Sequence, residues 1–475
     1  MLYLKSSRPK SVPFSHQSFE LVESSRRFSQ KVDLADLVYI VMKLAASAAT
    51  LLLVGTANAL PPWTWDTMQS YVHCANMSGA WAPWAADVLA EASFVVFEKW
   101  HGMFASPANT SAETKIAAAC AQVKEASARS QSPTDCYIYV EVDWARTVYT
   151  LGHDVDANLA TLGMHWSNGS AFGNDAAVTL PNKYSINDTT TFHYHWHGYD
   201  FRAAAMQKLW AARITDAVAT GHVDGAFIDG NRGGWNFKST SACAKGDKTC
   251  VSELQKGLEE AHRTVAQTLG RDATLISNYP TPEALAVTSG GMCERCGHGA
   301  GAVVSLRETY YANDMTCGLW NQPCVLQYRC YGNNGQHGSE TITPYQDIAN
   351  QSIATFLMAM EKYAYYGGGS ESGVGPQACN MSDGSFHFLN WPDLKRPLGN
   401  PLGVFKNVTR GSDHIFTRVF ATGTRVAINA TMASSPHDES KDNYKCIWWS
   451  DGFTTGGANC PAKTALEGLF SEWKS

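Results

Sequence analysis

Charge is scarce in this 475-residue chain. Only 17% of it is Asp, Glu, Lys or Arg, with a formal balance of −6. No dense basic run occurs, which argues against a nucleic-acid surface or another polyanion partner. No tandem repeat and no long low-complexity linker follows residue 60. Gly-x-Ser-x-Gly is absent, and Gly367-Gly368-Gly369-Ser370 reads as a turn, so Ser/His/Asp chemistry has no support. No cysteine precedes Ala59. What is present is 44% hydrophobic and 11% aromatic, ample material for a large globular core.

Residues 1–41 are polar and basic without periodicity. From Met42 the chain carries Lys43, an apolar stretch from Leu44 to Val54, and Ala57-Asn58-Ala59. A charged start, a short apolar core and an Ala-x-Ala site form a secretory signal cleaved near Ala59. The apolar stretch is short for a membrane anchor, the competing reading. Translation is expected to start at Met42, with the first 41 residues an extension of the gene prediction. All thirteen cysteines lie beyond the signal and favour disulfides in a secreted chain, with one thiol left over. Close pairs are Cys120/Cys136, Cys243/Cys250, Cys317/Cys324 and Cys446/Cys460, although spacing does not fix connectivity. Cys293-Glu294-Arg295-Cys296 is a solitary CxxC, weak support for zinc or redox chemistry. Eight Asn-x-Ser/Thr sequons, at Asn76, Asn109, Asn168, Asn187, Asn350, Asn380, Asn407 and Asn429, agree with a secretory route.

Strand and helix patterns then alternate. Ser93–Glu98, Tyr137–Val142, Phe192–Trp196, Gly225–Asp229, Thr274–Ser277, a run ending at Glu294, Val325–Tyr328 and Tyr363–Tyr366 read as strands. Helices are expected near 112–129, from a cap at Asp200 to 219, and over 249–269 and 346–361. Apolar strands without alternation are covered on both faces, as in parallel sheets. Eight of them with helices between favour a (β/α)8 TIM barrel. An open doubly wound sheet would want a Gly-rich loop after its first strand, where this chain has Glu98-Lys99-Trp100-His101. Ile415–Ala421 and Thr424–Thr431 flank Thr422-Gly423 as a hairpin. The expected organisation is an N-terminal extension and signal over 1–59, the barrel over 60–400, and a β-rich, disulfide-containing tail over 401–475.

Barrel sites lie at the carboxyl ends of strands. The acids there are Glu98, Glu141, Asp143, Asp229 and Glu294, with Glu308 as a further candidate. Asp229 closes the apolar run from Asp224 to Gly230, and Asn231, Arg232 and Trp235 follow it. An aromatic ring with amide and guanidinium groups suits a sugar. For any one acid, a helix cap or structural ion pair is the ordinary alternative, and Arg295 offers Glu294 such a pair. Trp196, Trp235, Trp320, Tyr310 and Tyr311 are candidate sugar contacts; each alone is more often core. His193, His195 and His197 would share one strand face and suggest a metal site. Polar loop histidines, or one sugar-binding histidine, explain them more simply.

Together these segments resemble the largely uncharacterised TIM-barrel glycoside hydrolases. Asp224-Gly225-x-Phe227-x-Asp229 is similar to their fourth-strand motif, with Tyr199-Asp200-Phe201-Arg202 before it. Ile276-Ser277-Asn278 resembles the fifth strand, and Gly291-Met292-Cys293-Glu294 the sixth. Leu398 to Gly403 and Arg418 to Asn429 resemble the closing hairpin. The likeness covers about 92–431; the segment 150–192, the cysteine pairs and residues 432–475 depart from it. It implies Asp229 as nucleophile or base and Glu294 as acid. Glu98, Trp100, His101, Glu141, Asp143, His195, Asn231, Arg232, Trp235, Asn278 and Tyr279 are the expected substrate-binding set. The expected activity is cleavage of O-glycosidic bonds in a carbohydrate, with no cofactor, metal, nucleic acid or stable membrane insertion. The alternatives are a carbohydrate-binding barrel without turnover and a histidine-metal hydrolase. Peptide mapping of the secreted protein is expected to begin at Leu60; recovery of any peptide from residues 1–41 would overturn the internal start.

Overall fold

The computed structural model describes residues 61–74, 84–98, 101, 112–141, 143–145, 176–180, 190–194, 196–198, 201–229, 247–270, 273–278, 287–294, 316–317, 322–323, 325–329, 353–367, 392–411, 413–431, 444–456, 459–471 and 473. In chain order the first elements are β1 (Tyr71–Cys74), α1 (Ala85–Leu89), β2 (Phe94–Phe97), α2 (Ala112–Ser130), β3 (Asp135–Glu141) and β4 (Asp143–Ala145). Next come β5 (Ala176–Leu180), β6 (Thr190–Tyr194), β7 (Trp196–Gly198), α3 (Ala204–Ala219), β8 (Gly225–Asp229), α4 (Lys248–Leu269) and β9 (Thr274–Asn278). β10 (Gly290–Glu294), β11 (Thr316–Cys317), β12 (Gln322–Pro323) and β13 (Val325–Arg329) follow, then helix α5 over 353–359 and β14 (Ala364–Gly367). The last are β15 (Lys406–Arg410), β16 (Asp413–Val419), β17 (Arg425–Thr431), β18 (Tyr444–Trp448), β19 (Thr454–Gly456) and α6 (Glu467–Phe470).

Eight strands form one parallel sheet in the order β1-β2-β3-β8-β9-β10-β13-β14. One parallel bridge, Ser70 to Tyr366, links its two outer strands. Strands β2, β8, β9 and β14 are buried on both faces. Tyr71, Phe94, Val96, Tyr137, Tyr139, Phe227, Ile276, Met292 and Tyr365 form one cluster. The alternate positions, such as Val72, Val95, Phe97, Ile138, Ala226, Ile228 and Leu275, pack instead with the helices. Period-two alternation therefore sorts each apolar run between two cores. Close quarters on the inner face require glycine at two places. A Cβ on Gly367 would lie 2.4 Å from the Tyr71 ring, and one on Gly225 would lie 1.9 Å from the Thr274 carbonyl oxygen.

Two strand expectations need correction. The sheet begins with Tyr71–Cys74, a short run whose His73 breaks the apolar signal. The expected third strand, Phe192–Trp196, lies outside the parallel sheet: β6 pairs antiparallel with β5, and β7 with β4. Its alternation of aromatic and histidine residues suits antiparallel pairing better than a doubly covered parallel strand. One error offsets the other, so Gly225–Asp229 is still the fourth parallel strand and Gly290–Glu294 the sixth.

Helix α2 matches its expected span, and Cys120 on it is disulfide-bonded to Cys136 on β3. Closing a ring of this size stabilises by about 3 kcal/mol, acting on the unfolded chain. Cys250 is also disulfide-bonded. Helix α4 starts where Asp247 accepts from the Cys250 backbone N–H at 3.0 Å. Helix α3 begins later than a cap at Asp200 would set it: its N-cap is Ala203, with no side-chain bond. Ile348, expected on the helix before β14, lies outside the described residues.

The expected hairpin is real but belongs to a larger unit. β16 and β17 pair antiparallel within a five-stranded sheet, β15-β16-β17-β18-β19, tied by the Cys446–Cys460 disulfide. Asn429 lies on β17 and is 6% exposed, which closes its sequon in the folded chain. Arg418 on β16 joins this sheet to the parallel one. Its guanidinium donates to the carbonyls of Leu357, Met358 and Met360 at the end of α5, and to that of Gly403. It also pairs with Glu361 at 3.2 Å. An arginine there satisfies carbonyls that a helix end leaves open.

At the amino ends of the strands one cation serves two carboxylates. Lys124 lies 2.5 Å from Asp224 and 3.7 Å from Asp135. Asp224 also accepts from the Cys136 N–H, and Asp135 from the Tyr137 hydroxyl. Burial, then the Asp224 charge, raises the Asp135 carboxyl from near 3.8 to about 7. Its proton is lost far more readily in the unfolded chain. Asp135 therefore adds stability that is complete in acid and is lost as pH rises through 7.

Two outcomes are expected. Arg418→Met should lower unfolding free energy in urea by about 3 kcal/mol, because several buried carbonyls and Glu361 lose their donor; a change within experimental error would remove Arg418 as the tie between sheets. Asp135→Asn should reduce the fall in melting temperature between pH 5 and pH 8, and an unchanged fall would show that Asp135 does not carry it.

Candidate active site

The parallel register sets Glu141 directly beside Asp229. Asn278 ends β9 on the other side, and Glu294 ends β10 one strand further. Asp229, Asn278, Glu141 and Glu294 thus all occupy carboxyl ends of strands. Asp229 is fixed from both flanks. The Tyr139 hydroxyl donates to its Oδ2, and Asn278 Nδ2 donates to its Oδ1 at 2.7 Å. A carboxylate accepting on both oxygens is oriented as a base or nucleophile rather than as a proton donor.

A second polar group lies on the first two strands. Glu98 directly follows β2 and is 1% exposed, with its Oε1 3.8 Å from His73 Nδ1. The His73 ring packs edge-on against Phe227, centroids 4.6 Å apart, and lies 5.5 Å from the Tyr139 ring. Tyr139 therefore touches both groups: its ring borders His73 and its hydroxyl holds Asp229.

The other expected residues divide. His101 is buried against Phe97, centroids 4.8 Å apart, and Phe97 belongs to the helix-facing core. Burial, then the Lys115 charge, lowers its pKa to about 4, so the imidazole is neutral. This is a packed histidine set apart from the Asp229 cluster. Asp143 opens β4, paired antiparallel with β7. His193 falls on β6 and His197 on β7, two strands with different partners. Trp100, His195, Asn231, Arg232, Trp235, Tyr279, Glu308, Tyr310, Tyr311 and Trp320 lie outside the described residues. Among the described residues, no group of three or more His, Cys, Asp or Glu side chains is arranged to hold a metal. No described helix is long and apolar enough to cross a membrane.

Tyr139 and His73 are the two site residues that motif reading overlooks. Tyr139 stands two residues before Glu141, a spacing that places it on the site face once the strand is recognised. His73 sits on a four-residue strand with no strong apolar run to announce it.

A parallel sheet with interleaved helices and carboxylates at its carboxyl edge defines a class of glycoside-hydrolase-like folds. The chain belongs to hypothetical glycosyl hydrolase family 15, whose profile matches residues 163–424, more than half of its length. Solved structures are similar at low identity. The GH36 α-galactosidase AgaA from Geobacillus stearothermophilus has 11% identity and a TM-score of 0.40, covering 80% of this chain and 49% of that one. The GH27 β-L-arabinopyranosidase from the same organism has 11% identity and a TM-score of 0.42, covering 81% and 86%. The noncanonic maltogenic α-amylase AmyB from Thermotoga neapolitana has 9% identity and a TM-score of 0.37, covering 77% and 85%. The chain spans about half the length of the galactosidase. No curated protein sequence matches it.

Proposed function

We propose that this chain is a secreted glycoside hydrolase that cleaves an O-glycosidic bond with two carboxylates. The observation that carries the reading is Asp229, held on both oxygens by Tyr139 and Asn278 at the carboxyl end of the fourth parallel strand. Family membership supports the class of reaction. We take the sheet to close as a (β/α)8 barrel through the Ser70–Tyr366 bridge, which the Tyr366 N–H to Gln69 carbonyl bond extends. The signal near Ala59, the barrel over 60–400 and the tail over 401–475 are part of the same proposal. The disulfides favour an oxidising, secretory route.

Asp229 attacks the anomeric carbon, or activates a water that does. Glu294 gives its proton to the departing glycosidic oxygen. If Asp229 attacks directly, a glycosyl ester forms, and Glu294 then takes a proton from the water that hydrolyses it. Two strand spacings of about 4.8 Å separate the backbones of β8 and β10. That leaves room for a sugar between the two strand ends. Glu141, in register with Asp229, is the alternative acid.

The test is a screen of labelled oligosaccharides and polysaccharides with wild type beside Asp229→Asn. The variant is expected to lose about 10²–10⁴-fold in turnover, the range a positioned acid–base group supplies. Equal activity would remove Asp229 from the mechanism. Binding by wild type without any turnover would favour a carbohydrate-binding barrel.

A further inference from the structure

The turn between β18 and β19 presents an aromatic ring that the core does not use. Phe453 is 52% exposed, while its neighbours Trp448 and Trp449 are 4% and 2% exposed. The turn is tightly built. The Trp449 N–H donates to the Phe453 carbonyl at 2.9 Å, the Gly452 N–H to the Trp449 carbonyl at 3.1 Å, and the Phe453 N–H to Asp451 Oδ1 at 3.0 Å. Gly452 supplies the positive φ, 90°, that this turn needs.

The ring is also backed. The Arg396 guanidinium lies 4.2 Å from its centroid. Arg396 is itself fixed by Asp393 at 2.9 Å and by Asp451. Thr455 continues the support, donating to Asp393 at 3.0 Å and accepting from the Trp449 indole at 2.8 Å. A partly buried network thus backs an exposed phenyl ring. Beside it is a cleft of about 350 Å³, lined by Trp449, Gly452, Phe453, Thr454, Pro461 and Lys463. Cys460, disulfide-bonded to Cys446, also lines it.

We propose that this cleft is a second carbohydrate site, separate from Asp229, which takes one pyranose ring of a glycan chain. Phe453 stacks on the apolar face of the sugar. The Thr454 hydroxyl and the Lys463 ammonium meet sugar hydroxyls at the rim. The volume lies in the lower part of the range for small-molecule sites and accommodates that ring. Ring and support are already in place, so binding orders little new structure. The choice of a carbohydrate as ligand rests on the proposed hydrolase reading; the prebuilt platform does not.

The test uses the full-length chain carrying Asp229→Asn, fluorescently labelled, on an array of immobilised plant, microbial and animal glycans. This protein is expected to bind a subset of polymeric glycans. Adding Phe453→Ala should weaken that binding at least tenfold, and Phe453→Trp should preserve it. Phe453→Ala alone should leave turnover of short labelled oligosaccharides unchanged. An identical array profile with and without Phe453→Ala, or no glycan bound at all, would overturn the second site. If Asp229→Asn retains full turnover while the Phe453 dependence holds on the array, the catalytic assignment falls and the second site stands.

Discussion

The packed inner face of the parallel sheet is the constraint on which the rest depends. Phe94 stacks on Tyr71 at 5.0 Å, contacts Tyr137 at 5.0 Å and meets Tyr365 edge-on at 5.0 Å. Rings from three other strands therefore meet around one phenylalanine. The chain entering the sheet seals this layer: Trp63 donates to the Ala364 carbonyl, and Tyr365 donates to that of Pro61, each at 2.9 Å. No room remains there for a ligand. At the far ends of the same strands the described residues place Asp229, Asn278, Glu98 and His73. Phe227 joins the two levels, since it packs in the inner core and also carries the His73 ring.

The antiparallel sheet is bound to this arrangement by charge rather than by apolar surface alone. Burying a guanidinium is costly unless its donors are satisfied. Arg418 meets that condition with carbonyls from the end of α5, the helix leading into β14. The contact acts close to the last parallel strand, and so near the bridge that links the outer strands. A second arginine, Arg396, ties the turn before β19 to the segment at Asp393 in the same way. Both arginines do double duty as ion-pair partners and as covers for aromatic rings, with Arg418 lying 5.5 Å from the Phe420 ring centroid.

Much of this was legible from the residues. The doubly buried strands at Phe94, Gly225 and Thr274 announce themselves because parallel strands need apolar groups on both faces. Helix α4 does so through its one-sided spacing. The hairpin around Gly423 is written in its turn residues. What escaped was context. Tyr71–Cys74 is too short and too polar in its own right to be read as the edge of a core. Phe192–Trp196 looks like a core strand but pairs elsewhere, because composition does not specify a partner. The extra strands β15, β18 and β19 are spread over separate stretches that only tertiary pairing joins. At the site, the acid of the DGAFID run was visible, but the hydroxyl that holds it was not, since a tyrosine in a strand reads as packing.

The same strand shows why residue type alone cannot assign chemistry. Asp224 and Asp229 bracket the apolar core of β8, five positions apart in sequence. Asp224 meets Lys124 and the Cys136 N–H, and it is thereby committed to joining α2, β3 and β8 at the closed end. Asp229 meets a phenol and an amide from the neighbouring strands, which fix its direction at the opposite end. Sequence supplies the two acids with equal emphasis. The filled interior between them decides that one fastens the structure and the other faces the end where chemistry is possible.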